Sequence, residues 1–488
     1  MLANYLPTGD DYLRILPEMI MTVGGTLVLL IEPLVRQSKR TAYTLLSLGV
    51  FVAALVAAIE ANTMPGLSFS NMLIVDGFAT FFRVLVIGIG ILSVLSATEY
   101  LRREHADSAE YYALLLFSVT GQCVMATANE LIMVFIGLEI SSIATYVLAG
   151  YLRDDKRNNE AALKYFLLGS FATAFLLYGI AWIYGTTGST NLVSIHNFLL
   201  TPGSQRNVTL ASVAAALMFV GFAFKVSAAP FQIWAPDVYQ GSPAPVTLFM
   251  SAGPKAAAFA VFIRVFMTAF LPITNRWEPF VWSSALLTMV IGNFAALAQT
   301  NIKRMLAYSS IAHAGYVMVA IAAGSQIGIA AAMFYLAAYA LMNIGAFAVV
   351  TYFSRQGEKF VNIQDMAGLG LKQPVTAALF AICLLSLIGV PLTAGFFGKF
   401  YIFKAALDSH LVWLSVLGLL NSAVAAYYYL RILVVMYMQE PGEAALSAPP
   451  MSPGIRMTLW ASALGTLILG IFPSLLLNFA QSSSTLVK

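Results

Sequence analysis

The sequence predicts an all-α polytopic membrane protein of about fourteen transmembrane helices, and three observations carry that expectation. The 488-residue chain is 60% hydrophobic and only 10% charged, whereas a soluble protein carries about 25% charged residues. Apolar runs long enough for the roughly 20 residues of a bilayer span recur from one end to the other. Those runs are continuous rather than alternating, which excludes a β-barrel. Residues 1–488 therefore read as a single integral membrane domain with no sizeable soluble part.

By length and apolarity the spans fall at about 14–35, 42–60, 73–98, 110–128, 130–151, 160–186, 209–234, 245–271, 279–298, 302–322, 327–353, 375–407, 411–437 and 456–479. Basic residues cluster at Arg36/Lys39/Arg40, Arg102/Arg103, Arg153/Lys156/Arg157, Lys303/Arg304 and Arg355/Lys359, and all five clusters fall on one side of that arrangement. The positive-inside rule makes that side cytoplasmic and puts both termini on the periplasmic side. The net charge of +4 is thus a matter of topology, and no nucleic-acid partner is implied. The acidic start (Asp10, Asp11) does not look like a cleavable signal. No Arg-rich transit segment is present, so a bacterial inner membrane is expected.

Two segments, 209–240 and 375–408, are too long for one straight span. Each has interior breakers: Pro230 and Pro236 in the first, Pro391 and Gly395 in the second. Helices 7 and 12 are accordingly expected to be broken. Paired broken helices in corresponding halves point to an inverted-repeat transporter with its site at the breaks. Glu139 and Lys225 stand 86 residues apart, as do His313 and Lys399. That echo pairs span 5 with span 10 and span 7 with span 12. The expected layout is helices 1–3 (about 14–98), a first five-helix repeat (about 110–271), a second (about 279–437) and a C-terminal helix (about 456–479).

Ionisable residues inside apolar spans are costly and usually functional. Glu139 lies about nine residues into its span, roughly 14 Å deep; it is either a structural carboxylate or a proton carrier. Lys225 sits beside the first break, where depth argues against snorkelling. Lys255 follows Pro254 near mid-span, and Lys399 lies beyond Pro391. A Glu–Lys pair that opens and closes would change the lysine's proton affinity, a physical means of driving protons. His313 can pass a proton between its ring nitrogens, or simply hydrogen-bond between helices. Lys164, about one turn into its span, divides evenly between snorkelling and proton transfer. His105, His196 and His410 sit at loops or span ends and are expected to face solvent.

No metal, flavin, haem or iron–sulfur ligand set is apparent, so no cofactor is expected on this chain. GLGLK at 368–372 follows no strand and is not a dinucleotide fingerprint. Cys123 and Cys383 lie far apart in apolar segments and read as buried structural residues.

The stretches LEISSIATYVLAGY with Glu139, AALKYFLLGSF with Lys164, FKVSAAPFQIWAPDVYQGSPAPVTLFMSAGPKAA with Lys225 and Lys255, and GVPLTAGFFGKF with Lys399 resemble the antiporter-like membrane subunits of respiratory complex I. These are related to subunits of multisubunit Na⁺/H⁺ antiporters. The resemblance runs over nearly the whole chain. It implies a proton-conducting module of fourteen helices with two inverted five-helix repeats and broken helices 7 and 12. It also implies Glu139 and Lys225 as a first-half pair, Lys255 as a link to the second half, His313 in the relay region and Lys399 towards the exit. FMN, iron–sulfur clusters and quinone would belong to partner subunits, and the immediate partners would be other membrane-arm subunits, including other antiporter-like ones. One branch of the family tends to carry an acid where this chain has Lys399. Another extends into a long lateral helix beyond the common core. Neither trait is present, which favours the third branch.

The resemblance thus implies a proton-translocating subunit of a redox-driven complex. A secondary cation/proton antiporter could use the same buried row; copurifying redox subunits discriminate the two. A purely structural scaffold would leave four or more deep ionisable residues beside two helix breaks unexplained.

Overall fold

The computed structural model describes residues 7–32, 40–201, 205–447 and 449–486. The end of the first expected span (33–35) and the Arg36 and Lys39 part of the first basic cluster lie outside the described residues.

A short helix at Gly9–Arg14 precedes α1 (Leu16–Ile31), and α2 spans Arg40–Ala61. A hairpin of β1 (Gly66–Ser68) and β2 (Leu73–Val75), antiparallel with Gly66 opposite Val75, leads into α3 (Gly77–Arg103). Then come α4 (Ala109–Thr127), α5 (Leu131–Ala149), α6 (Lys156–Thr187), α7 (Gln205–Val226), α8 (Trp234–Gly241) and α9 (Ala244–Thr268). The rest comprises α10 (Thr274–Leu297), α11 (Ile302–Ala322), α12 (Gln326–Phe353), α13 (Pro374–Ile388), α14 (Ala394–Asp408), α15 (Val412–Met438) and α16 (Pro453–Ile471).

Among the described residues, 11 helices are long and apolar enough to cross a bilayer. Three further expected spans correspond to the shorter α1, to α4, and to the divided pair α13 and α14. Helix α4 is made less apolar by Ser118, Thr120, Gln122 and Thr127, all buried. Their side chains bond within the protein: Gln122 Nε2 donates to Ser118 Oγ at 3.1 Å, and Ser118 Oγ meets Ser141 Oγ of α5 at 3.2 Å. Close approach makes this possible, since a Cβ on Gly121 would lie 2.6 Å from the Gly137 carbonyl of α5. Small residues serve the same purpose at many membrane helix contacts.

Both expected breaks are present. After α7 the chain leaves the helix at Ser227 (φ 61°) and resumes at α8. Pro230 has no N–H to continue the ladder. The freed carbonyls find other donors: Ala228 N reaches Ala223 O at 2.7 Å, and Trp234 Nε1 reaches Phe224 O at 2.9 Å. After α13 the chain turns through Gly389 (φ 94°) and Leu392 (φ 69°) before α14. Positive φ is easy only for glycine.

One boundary differs from the expected last span. The stretch 456–479 is divided, with α16 ending at Ile471 and a separate helix at Ser474–Ser482. Pro473 lacks the N–H that would carry α16 onward. His196 also differs from expectation. It is only 8% exposed and bonds the Thr268 carbonyl through Nδ1 at 2.7 Å. Its short helix, Leu192–Leu200, buries Leu192, Ile195, His196 and Leu199 together, so its surroundings are protein rather than water.

Helices α9, α11 and α12 form the centre, each with a most-apolar window 94% buried; the other candidate spans bury 33–67%. Two ion pairs hold the leading helices: one joins α1 to α3, and the other joins the start of α3 to α9 of this core. Arg83 of α3 donates to both carboxylate oxygens of Glu18 in α1, each at 2.9 Å. Arg264 of α9 grips Asp76 at 2.9 and 3.0 Å, while Asp76 caps α3 by accepting from Ala79 N at 2.7 Å.

Candidate functional site: a buried polar row

The central helices carry the polar residues. Lys255 of α9 is 3% exposed and donates to the Ser310 carbonyl of α11 at 2.9 Å, and also to Ser310 Oγ. Three residues further along α11 stands His313. Its Nδ1 pairs with Tyr335 OH of α12 at 2.5 Å and its Nε2 with Tyr429 OH of α15 at 3.2 Å. Three residues beyond that is Tyr316, whose ring lies 4.8 Å from Lys399 Nζ. Residues three apart share a helix face. Ser310, His313 and Tyr316 therefore form one stripe leading from Lys255 to Lys399.

Lys399 uses the break beside it. Its ammonium donates to the Leu387 and Ile388 carbonyls at 3.0 and 2.8 Å and to Ser422 Oγ at 2.8 Å. Those carbonyls end α13, where intrahelical donors run out and the helix dipole is negative. A cation is the natural partner there. Gly389 leaves the room, since a Cβ on it would come within 3.2 Å of Lys399 Cδ.

A neutral imidazole has one donor and one acceptor nitrogen. With a tyrosine hydroxyl on each side, exchange of the His313 tautomer reverses both hydrogen bonds. Tyr429 OH also meets Ser309 Oγ, and Asn293 joins Tyr316 OH at 3.3 Å to Tyr428 OH at 3.0 Å. The second half thus holds a connected network of buried hydroxyl, amide, imidazole and ammonium groups.

The first half is arranged differently. Glu139 of α5 accepts from Thr173 Oγ1 of α6 at 2.9 Å. Lys225, near the end of α7, donates to Tyr146 OH at 3.2 Å, and its ammonium lies 5.0 and 5.3 Å from the Tyr146 and Tyr165 rings. Glu139 and Lys225 are thus held by separate neutral partners, not by each other. Tyr146 stands seven residues after Glu139, two turns up the same face of α5. Glu139 is half-buried, and Ile136, Ile140 and Ile143 beside it face outward.

Lys164 belongs to another cluster, at the end where the basic loops lie. It pairs with Glu160 at 2.8 Å and Asp237 at 2.9 Å, and Arg304 reaches Asp237 at 2.7 Å. The structure therefore joins Lys255, His313 and Lys399 through α11, holds Glu139 and Lys225 in a second group around α5, and leaves Lys164 apart. Sequence reading missed Thr173, Tyr146, Ser310, Tyr316, Tyr335 and Tyr429. A signal did exist for two of them: Ser310 and Tyr316 flank His313 at helical spacing in SSIAHAGY.

The NADH:quinone oxidoreductase/Mrp antiporter transmembrane family model matches residues 128–425, a stretch that contains Glu139, Lys164, Lys225, Lys255, His313 and Lys399. NADH-quinone oxidoreductase subunit N 1 of Solibacter usitatus is 64% identical over 98% of each chain. The chain belongs to the NADH-quinone oxidoreductase subunit N family. A chain of respiratory complex I from Thermus thermophilus with bound aureothin is 35% identical and superimposes with a TM-score of 0.82, covering 95% of this chain and 99% of that one. A chain of the Mrp complex from Dietzia sp. DQ12-45-1b, 20% identical with a TM-score of 0.83 over 97% of each chain, shares the fold. Membership of the subunit N family agrees with the branch that Lys399 favours.

Proposed function

We propose that the chain is a proton-translocating membrane-arm subunit of NADH-quinone oxidoreductase, in which quinone reduction on other subunits drives proton transfer along buried Glu, Lys and His side chains. The observation that carries this reading is the α11 stripe. It links two buried lysines through Ser310, His313 and Tyr316 within the most protected helices. The subunit N relatives support the same reading.

In this mechanism Lys255 and Lys399 hold protons, and His313 relays between them by tautomer exchange. In the first half, Glu139 and Lys225 form a pair that opens and closes. Thr173 and Tyr146 hold its open form, and closing changes the lysine's proton affinity. The two five-helix repeats of inverted topology, about 110–271 and 279–437, are part of the proposal, supported by the breaks after α7 and α13. So is the orientation, with the basic loops cytoplasmic and the termini periplasmic in a bacterial inner membrane. FMN, iron–sulfur clusters and quinone sites are assigned to partner subunits, and neighbouring antiporter-like subunits to the lateral faces.

The test is Lys225→Ala in the assembled complex. NADH-driven acidification of inverted vesicles should fall about tenfold or more, with the oxidation rate falling alongside, as loss of a placed proton-transfer group implies. A variant that assembles and pumps normally overturns the assignment. Cation-dependent proton flux from the reconstituted chain, purified without flavin or iron–sulfur subunits, would instead favour an antiporter.

A further inference from the structure

Glu358 is placed with unusual constraint. Arg355, Gly357 and Glu358 have φ of 61°, 66° and 51°, so two residues with side chains occupy the left-handed region within four positions. Such backbone persists only where surrounding structure imposes it, and it clusters at functional sites. The turn delivers one carboxylate, 11% exposed, to three donors: Lys303 Nζ at 2.6 Å, Ala244 N at 2.7 Å and Tyr100 OH at 3.0 Å. These come from α11, α9 and α3. Lys303 is 0% exposed and also donates to the Ser242 carbonyl at 2.5 Å. Ser242 Oγ beside it is buried and has no hydrogen-bond partner among the described residues.

Glu358 also lines two cavities at the basic end. One, of about 720 Å³, is walled by Tyr100, Glu104, His105 and Arg157; the other, of about 180 Å³, by Glu160, Lys164, Asp237 and Arg304. A single side chain thus separates polar, open space from a fully buried lysine. That lysine lies on the helix that carries the row: Ser310, which holds Lys255, is seven residues along α11, about 10 Å on the same face.

We infer that Glu358 is the group through which protons from these two cavities reach Lys303 and, along α11, the buried row. The inference rests on the proton-translocating reading above. When Lys303 passes a proton inward, the Glu358 carboxylate takes a proton from a hydronium ion of the cavity, leaving water. The carboxylic acid so formed hands that proton across the hydrogen bond to the neutral Lys303 amine, which restores the ammonium and the carboxylate. Charge and atoms balance, and no other reactant is needed. The port lies at the Lys255 end of the row, about 10 Å away along α11, and bypasses the Glu139–Lys225 pair.

The experiment uses the assembled complex in inverted vesicles with NADH as the driving substrate. Glu358→Gln keeps an oxygen to accept from Ala244 N and Tyr100 but cannot exchange a proton as a carboxylate does. Pumping should fall about tenfold, short of the full general acid–base contribution because cavity water substitutes in part. Glu358→Asp should retain most of it. A Glu358→Gln complex that pumps like the parent overturns the inference. Should that variant fail to assemble, Glu358→Gly decides, because glycine tolerates the positive φ and opens the pocket to a small acid. Millimolar formate should then restore pumping; no restoration overturns the inference. Lys255→Met is the control. If it abolishes pumping while Glu358→Gln is normal, only the port is wrong; if it pumps normally, the buried-row reading itself fails.

Discussion

Lys399 satisfies three acceptors at once, and two of them are main-chain carbonyls with no other role open to them at the end of α13. Replacing it by methionine would bury those acceptors unpaired, at about 1–3 kcal/mol each. Lys399→Met should therefore both stop pumping and lower the unfolding midpoint of the detergent-purified complex, whereas Ser422→Ala should lower neither by much. An unchanged midpoint would show that the carbonyls do not depend on the ammonium. The ionisable residues were legible in the sequence because a charge in an apolar run is conspicuous and expensive. Their neutral partners were not. Serine, threonine and tyrosine are ordinary in membrane helices, and only three-dimensional packing distinguishes Tyr335 and Tyr429 from the many other buried tyrosines. The sequence left Lys164 evenly divided between snorkelling and proton transfer, and its partners Glu160 and Asp237 set it in a half-exposed cluster. Nothing in its local sequence announces Asp237, which lies 73 residues on.

At the scale of elements, the two breaks are chemically unlike although they read alike in sequence. The first closes on its own backbone, Trp234, and Ser284 and Thr288 of α10, with Lys225 on the helix before it. The second closes on Lys399, from the helix after it. Gly389 makes that second closure possible. Gly389→Ala must place a Cβ in the left-handed region, at about 1–2 kcal/mol, and 3.2 Å from Lys399 Cδ. The expected result is a complex that assembles but pumps at a fraction of the parental rate; the same change at Gly185, where a Cβ would meet nothing within 4 Å, should be silent. Equal effects at the two sites would count against the close fit at the break. Proline and glycine inside overlong apolar segments gave both breaks away beforehand. The division at Pro473 obeys the same chemistry but lay hidden, because 456–479 has the length of a single ordinary span.

For the molecule as a whole, composition was enough to give the fold class. What it did not reveal is how three leading helices are fastened to the core. The Glu18–Arg83 pair ties α1 to α3 in a nearly dry setting, with side chains 8% and 0% exposed, and Arg264–Asp76 ties α3 to α9. Removing one member of a buried pair leaves the other charge uncompensated, at about 3–5 kcal/mol, while replacing both by apolar groups is often neutral. Glu18→Met should thus destabilise the purified protein strongly, and the Glu18→Met/Arg83→Met double variant should recover most of the loss. If the double variant is as unstable as the single, the pair is not the fastening. The sequence concealed this pairing because Glu18 stands near a span end, where charges are unremarkable, and nothing local to Arg83, well inside span 73–98, points to a partner 65 residues earlier.

The ammonium that bridges α13 and α14 also makes the break responsive. Hydrogen bonds from a charged donor are roughly twice as strong as those from a neutral one. In the proposed mechanism a deprotonated Lys399 would keep only two N–H donors for its three acceptors, so the clasp on the Leu387 and Ile388 carbonyls would loosen, and reprotonation would tighten it. Under the same mechanism, occupancy by one proton would in this way be translated into tension between two half-helices, and the atom that carries charge would also loosen or tighten the fold around it.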